Sequence, residues 1–181
     1  MIEIYRTENA FLYEKVKILL CRKLTDFKIK KTPEGKPYIE GDPLCFSISH
    51  SRGHALIAIC DRAVGVDFEA VGVRHKNYAH ILGRFTPRER AQTDGYEKFL
   101  LNWVNKEAYI KMLGGTLARD LKRLEYYNGN LYCDGAPVGC GHACFSDEKT
   151  GLFAVCAEGH TRKELEKARV KQFRLRKEEI I

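Results

Sequence analysis

The chain has 181 residues, of which 44% are hydrophobic and 30% charged, with 15 Gly and 5 Pro. That balance excludes a disordered chain, a collagen-like repeat and a coiled coil, and the length suits one domain or two small lobes. Lys plus Arg number 31 against 24 Asp plus Glu, and the net charge of +7 favours polyanionic or acidic partners: nucleic acid, anionic lipid, phosphorylated ligands or an acidic protein.

The best apolar stretch, Ala55 to Cys60, has six residues, against the roughly 20 that a membrane-spanning helix needs. The start, MIEIYRTEN, has no basic segment followed by an apolar one, so no secretory leader is expected. Seven Cys occur without a CxxC pair, most of them inside apolar runs such as ALIAIC and LFAVCA. Buried thiols of this kind behave as small hydrophobes, and the expectation is a reduced, cytoplasmic protein.

In chain order, Asn9 to Leu24 reads as an amphipathic helix, because Leu12, Val16, Leu19, Leu20 and Leu24 recur at helical spacing. A polar turn, Thr32 to Pro37, then interrupts the chain, and strands are expected at Leu44–Ser49, Ala55–Asp61 and Val64–Glu69 as antiparallel hairpins. A short helix at Asn77–Arg84 precedes Thr86-Pro87-Arg88-Glu89, a helix start with a capping Thr, an early Pro and Glu at the third position. The longest helix, Glu97–Leu113, should stop at Gly114-Gly115. Strands are then expected at Leu121–Tyr127, Asn130–Cys133, Gly141–Ser146 and Leu152–Ala157, with a turn at Asn128-Gly129. From Thr161 the tail carries eight basic and four acidic residues and reads as a basic amphipathic helix. The order implies an α+β fold of two similar, pseudo-duplicated α/β lobes, each a small antiparallel sheet packed with helices. The expected divisions are 1–64 for the N-terminal lobe, 65–160 for the C-terminal lobe and 161–181 for the tail.

Three segments carry chemistry. In Gly65-Val66-Asp67-Phe68-Glu69 the two acids share one strand face, about 6.5–7 Å apart, and hard oxygens so placed suit Mg²⁺; the plainer reading is a solvated sheet edge. Trp103, Glu107 and Lys111 stand at i, i+4 and i+8 of the long helix, one stripe that could present a carboxylate beside a phosphate clamp, or simply a surface Glu–Lys pair with the Trp packed inside. Phe46-Ser47-Ile48-Ser49-His50-Ser51 alternates apolar and hydroxyl residues and ends in a cluster able to hold a phosphate or to cap a turn. Lys36 sits on the rigid Gly35-Lys36-Pro37 turn. No G-x-S-x-G elbow supports a serine hydrolase.

Taken together and in order, GKPYI, FSISHS, GVDFE and W-x-x-KEA-x-x-K resemble the 4′-phosphopantetheinyl transferase superfamily over about Gly35 to Leu117. The two-lobed, surfactin-synthetase-activating type is closer than the short trimeric type. The resemblance implies transfer of phosphopantetheine from coenzyme A to a serine of an apo acyl or peptidyl carrier protein, with the active site at the lobe junction. It implies Mg²⁺, with Mn²⁺ as a substitute, held by Asp67, Glu69 and Glu107. Catalysis would fall to Glu107, Lys111 and Asp67, Glu107 taking the serine proton directly or through a metal-bound water. Coenzyme A would be held by Lys36, Ser49, His50, Lys106 and Lys111, with Ser49 and His50 at its 3′-phosphate. Trp103 would be structural. The chain departs from the family in a shorter first lobe, in Gly114-Gly115-Thr116-Leu117 where GxGL is commoner, and in lacking basic residues near the first helix, for which Lys30 or Lys31 could substitute. An acidic carrier could meet Arg84, Arg88 and Arg90 around Phe85 as an apolar anchor, unless these are only a solvated helix start. The expected state is a monomer with no membrane and no specific nucleic acid.

Two other classes compete. A basic nucleic-acid-binding protein fits the charge, but the aromatic residues do not interleave with the basic ones as stacking platforms would. A zinc module of Cys133, Cys140, His142 and Cys144 lacks the usual paired spacing.

Overall fold

Strand β1 (Ile2–Glu8) opens the chain in a computed structural model that describes residues 1–174. Its two faces serve two cores. Ile4 packs with Leu56, Val66 and Phe153, whereas Tyr5 packs with Leu12, Val16 and Leu19 of α1 (Leu12–Cys21). The helix is shorter than its apolar period suggested, because Phe11 adopts a left-handed conformation at φ 53 just before it and the chain turns out of the helix after Cys21. Strands β2 (Ile29–Lys31) and β3 (Pro37–Ile39) form a small hairpin around the polar turn.

Strands β4 (Cys45–Ser51) and β5 (His54–Cys60) pair antiparallel, and β5 pairs with β1. Strand β6 (Val64–Ala70) leaves this sheet and joins a second one, so the expected succession of hairpins breaks at residues 61–63. Short helices α2 (Tyr78–Leu82) and α3 (Pro87–Gln92) follow, the latter with the anticipated capping box between Thr86 and Glu89. Helix α4 (Tyr96–Leu113) ends at Gly114, whose φ of 70 is the left-handed stop that glycine permits. After α5 (Leu117–Asp120) come β7 (Leu124–Tyr127), β8 (Asn130–Cys133) and β9 (Ala136–Pro137), then β10 (Gly141–Asp147) and β11 (Gly151–Ala157). Helix α6 (Arg162–Glu166) and β12 (Val170–Gln172) follow.

The fold is α+β. Its two central sheets have the orders β12-β1-β5-β4 and β10-β11-β6, with helix α1 packed on the first and α4 on the second, beside the β2-β3 hairpin and a small β7-β8-β9 sheet. The tail corrects the expectation of one basic helix. Among its described residues only 162–166 are helical, and Val170 to Gln172 pair in parallel with Ile4 to Arg6, so the segment returns to the first sheet. Its apolar residues follow that pairing: Phe173 packs edge-on to Tyr5. Residues 175–181 of that expected helix lie outside the described residues.

Helix α4 crosses β6 so closely that a side chain at Gly65 has no room. A Cβ there would stand 1.9 Å from the Ala108 carbonyl oxygen and 2.4 Å from the Met112 nitrogen. Backbone cannot yield as a flexible side chain would. Gly65→Ala is therefore expected to cost roughly 3 kcal/mol or more, read as a lowered midpoint in urea unfolding.

Candidate active site

The two sheets meet along β4 and β6, and the meeting uses hydroxyl groups in place of a backbone ladder. Ser47 Oγ accepts the Val66 N–H and Ser49 Oγ accepts the Phe68 N–H, both at 3.1 Å. This explains the alternation in Phe46-Ser47-Ile48-Ser49: the hydroxyl face of β4 satisfies the donors of β6 that no neighbouring strand reaches. Beyond the seam lies an open cleft of about 370 Å³, lined by residues of β4, β6 and α4 and by His75.

Asp67 and Glu69 enter the cleft from β6, Glu107 and Lys111 from one face of α4, and Ser49 and His50 from β4. The Lys111 ammonium donates to Asp67 Oδ1 at 2.6 Å and to Ser49 Oγ at 3.1 Å. Ser49 in turn donates to Asp67 Oδ1 at 2.9 Å. Its hydroxyl thus has both its proton and its lone pairs engaged, and it fixes Asp67 rather than offering a free group to a ligand. Asp67 Oδ2 is buried without a hydrogen-bond partner. His50 is exposed at the rim.

Glu69 is held by two residues that sequence reasoning missed. His75 Nε2 lies 2.8 Å from its Oε1, and Ser51 donates to its Oε2 at 3.2 Å. His75 is itself seated against the rings of Trp103 and Phe99 and donates its backbone N–H to the Tyr96 hydroxyl. Nothing local announces it: a lone histidine in the irregular segment after β6 reaches Glu69 only because the chain folds back. Trp103 is 7% exposed and walls the cleft, as expected of a structural residue.

Three carboxylates share this cleft with one ammonium, and the proton affinities of Glu107, Glu69 and Lys111 register it. Burial, reinforced by Asp67, pushes the Glu107 carboxyl up to about 7. Burial and Asp67 likewise raise Glu69, against the pull of His75. Burial lowers the proton affinity of Lys111, but Asp67 and Glu107 more than offset it and the net shift is upward. Lys111→Met would leave the three acids facing one another without a cation. Thermal melts should fall by several degrees at about pH 8 and by less at about pH 5, where Glu107 and Glu69 can take up protons.

Asp67, Glu69 and Glu107 supply hard oxygen donors of the type that holds a divalent cation. Their oxygens are not gathered within 4.8 Å of one another; among the described residues that spacing is met by Cys60, Asp61 and His160. Lys111 holds Asp67, while His75 and Ser51 hold Glu69 aside. All three carboxylates nevertheless line the same cleft.

Several expected ligands are elsewhere. Lys106 is fully buried on another face of α4, 2.8 Å from Glu89 and over the Phe85 ring, so it does not line the cleft. One residue along a helix is a turn of about 100°, which separates Lys106 from Glu107. Lys36 turns away to donate to the Met112 carbonyl at the end of α4. Lys30 pairs with Glu40 and Lys31 lies over Tyr13, neither among the cleft residues. Phe85 is 3% exposed and stacked on Phe99, so it offers no anchor to a partner, and the arginines around it are engaged: Arg88 with Glu125, Arg84 with the Leu117 and Ala118 carbonyls, Arg90 with the Gly83 carbonyl. Cys133, Cys140, His142 and Cys144 do not form a ligand cluster among the described residues; His142 instead bonds the Gly129 carbonyl.

Residues 63–137, which hold the β6 acids, α4 and the first strands after it, match the family model described as the 4′-phosphopantetheinyl transferase superfamily. A Haemophilus influenzae protein carrying the 4′-phosphopantetheinyl transferase name is 25% identical over 155 residues, 79% of this chain. The 4′-phosphopantetheinyl transferase gsp of Aneurinibacillus migulanus is 30% identical over 89 residues, 47% of this chain. The human L-aminoadipate-semialdehyde dehydrogenase-phosphopantetheinyl transferase is 30% identical over 118 residues, 55% of this chain. The chain spans 64% of the length of the first and 37% and 38% of the other two. By this segment the chain is similar to the 4′-phosphopantetheinyl transferase superfamily.

Proposed function

We propose that this protein transfers the 4′-phosphopantetheine arm of coenzyme A to a serine hydroxyl of an apo carrier protein, releasing adenosine 3′,5′-bisphosphate. The observation that carries the reading is the convergence of Asp67, Glu69, Glu107 and Lys111 on one cleft where the two sheets meet. We take residues 1–64 and 65–160 as two lobes of one enzyme, and a monomer suffices because a single chain builds the whole cleft.

The residues fit a divalent cation. Three carboxylates against one lysine leave the cleft negative, and the buried, unpartnered Asp67 Oδ2 is an acceptor awaiting a donor or a cation. Asp67, Glu69 and Glu107 would hold Mg²⁺, which when bound supplies charge neutralisation to the diphosphate. Lys111 would steady the phosphoryl oxygens, moving from Asp67 toward the substrate as the charge grows there. The serine oxygen forms a bond to the phosphorus of the pantetheine phosphate, and the P–O bond to the departing nucleotide breaks. The serine proton needs an acceptor. Glu107 is placed to take it, directly or through a water molecule; its raised affinity of about 7 belongs to the metal-free cleft, and a bound cation would lower it. All seven cysteines are unpaired, which suits a reducing compartment, and we place the reaction in the cytoplasm. Among the described residues no helix is long and apolar enough to cross a membrane.

The test is incubation of the protein with an apo carrier protein, coenzyme A and Mg²⁺, with mass spectrometry of the carrier. A gain of one phosphopantetheine arm, lost on chelation of the metal, is expected. An unchanged carrier mass across acyl and peptidyl carriers would remove the proposal.

A further inference from the structure

Among the described residues, the tightest gathering of metal-ligating atoms lies outside the catalytic cleft. Cys60 ends β5, Asp61 begins the turn after it, and His160 lies between β11 and α6. Their ligand atoms all fall within 4.8 Å of one another, and the first two are closer still, with Cys60 Sγ 3.4 Å from Asp61 Oδ1. Ligands around a tetrahedral zinc, bonded at about 2.0–2.3 Å, stand roughly 3.3–3.8 Å apart, so small side-chain rotations close the set. None of the three lines the cleft of Asp67 and Lys111.

A second observation concerns the imidazole. His160 Nδ1 lies 3.0 Å from the Glu158 carbonyl oxygen, which can only accept, so Nδ1 carries the proton in the neutral ring and Nε2 keeps its lone pair. A backbone carbonyl fixing one ring nitrogen while the other faces a metal is the usual support of a histidine ligand. The Asp61 carboxylate also accepts from the Met1 ammonium group at 2.8 Å, and Cys60 would give its thiol proton to solvent on binding a metal.

We infer that Cys60, Asp61 and His160 form a second metal site, separate from catalysis, for a borderline-soft divalent ion of which Zn²⁺ is the best match. One thiolate, one imidazole and one carboxylate suit zinc better than Mg²⁺, which prefers oxygen alone. The site joins the end of a strand in the first sheet to the loop leaving the second, so its ion would clasp the two halves at the Cys45 end of β4, the opposite end from the Ser49 and His50 that line the cleft.

Titration of the metal-free protein with Co²⁺ tests the inference independently of transfer activity. A thiolate-to-cobalt charge-transfer absorption should saturate at one equivalent, and Zn²⁺ should displace it and raise the melting temperature. Cys60→Ser should abolish the absorption, and His160→Gln, in an exposed loop that tolerates it, should weaken binding at least 10-fold. Absence of a saturable absorption overturns the inference. So does an absorption that persists in both variants, which would assign the metal to Cys133, Cys140 or Cys144 instead.

Discussion

Glu107→Gln is expected to lose transfer activity by roughly 10²–10⁴-fold while making the metal-free protein more stable above neutral pH. The two effects come from one carboxylate: transfer loses a metal ligand and proton acceptor, while the metal-free fold loses an acid that it disfavours. Burial and the neighbouring Asp67 raise the Glu107 carboxyl from 4.5 to about 7. A carboxyl raised in the folded state favours folding most when it is protonated, so its contribution declines as pH climbs from the unfolded value through the folded one. At about pH 8 the parent therefore carries an ionised acid that the fold disfavours, with a penalty on the order of 2–3 kcal/mol. Glutamine keeps the shape and does not titrate. Melts of the two proteins should coincide at about pH 4.5 and diverge above it, the variant melting higher. Mg²⁺ should raise the parent's melting temperature and leave the variant's nearly unmoved, by mass action on the folded state. Parent-like labelling of the carrier by Glu107→Gln would refute the assignment, and the melts guard against mistaking a misfolded variant for an inactive one.

Lys106→Met should produce the opposite pattern: a large loss of stability. Lys106 and Glu89 are both buried, 2.8 Å apart, and Glu89 also accepts the Thr86 N–H at 3.0 Å and the Tyr126 N–H at 2.8 Å. Burial depresses the proton affinity of Lys106 and Glu89 pulls it back up, so the ammonium depends on its partner. Removing the lysine strands a carboxylate away from water, at about 3–5 kcal/mol, and the melting temperature should fall by roughly 10 °C. The double variant Lys106→Met with Glu89→Gln removes both charges and should recover most of that loss. A coenzyme A ligand would behave otherwise, its loss raising KM with little change in stability. Thermal melts and transfer kinetics on the same samples decide between the two roles.

The pair also shows what local pattern leaves open. In Lys106-Glu107-Ala108-Tyr109-Ile110-Lys111 the two lysines look alike, but only Lys111 shares the Glu107 face, four residues along the helix. The helical angle separates them, while the destination of the other face depends on Glu89, which arrives from α3. Phe85 is a similar case: an aromatic residue beside three arginines reads as a surface anchor until the stacking of Phe99 and the cation of Lys106 place it inside. The Ser47 and Ser49 hydroxyls were legible as a stripe, but their work as substitutes for a strand ladder required β6 to lie beside them.

Elements governed by neighbours a few residues away could be read directly: the Thr86–Glu89 capping box, the Gly114 stop, the hydrophobic period of α1, and the acids at two-residue spacing on β6. Each depends on hydrogen bonds or side-chain directions that the chain settles within one turn or one strand. Tertiary packing alone chose β12 as the partner of β1, 166 positions apart at Ile4 and Val170, and carried β6 into a separate sheet. It also brought His75 back to Glu69 and sent Lys36 to the end of α4. Those outcomes come from competition among distant segments for buried surface and for unpaired backbone groups, and no run of adjacent residues encodes which segment prevails.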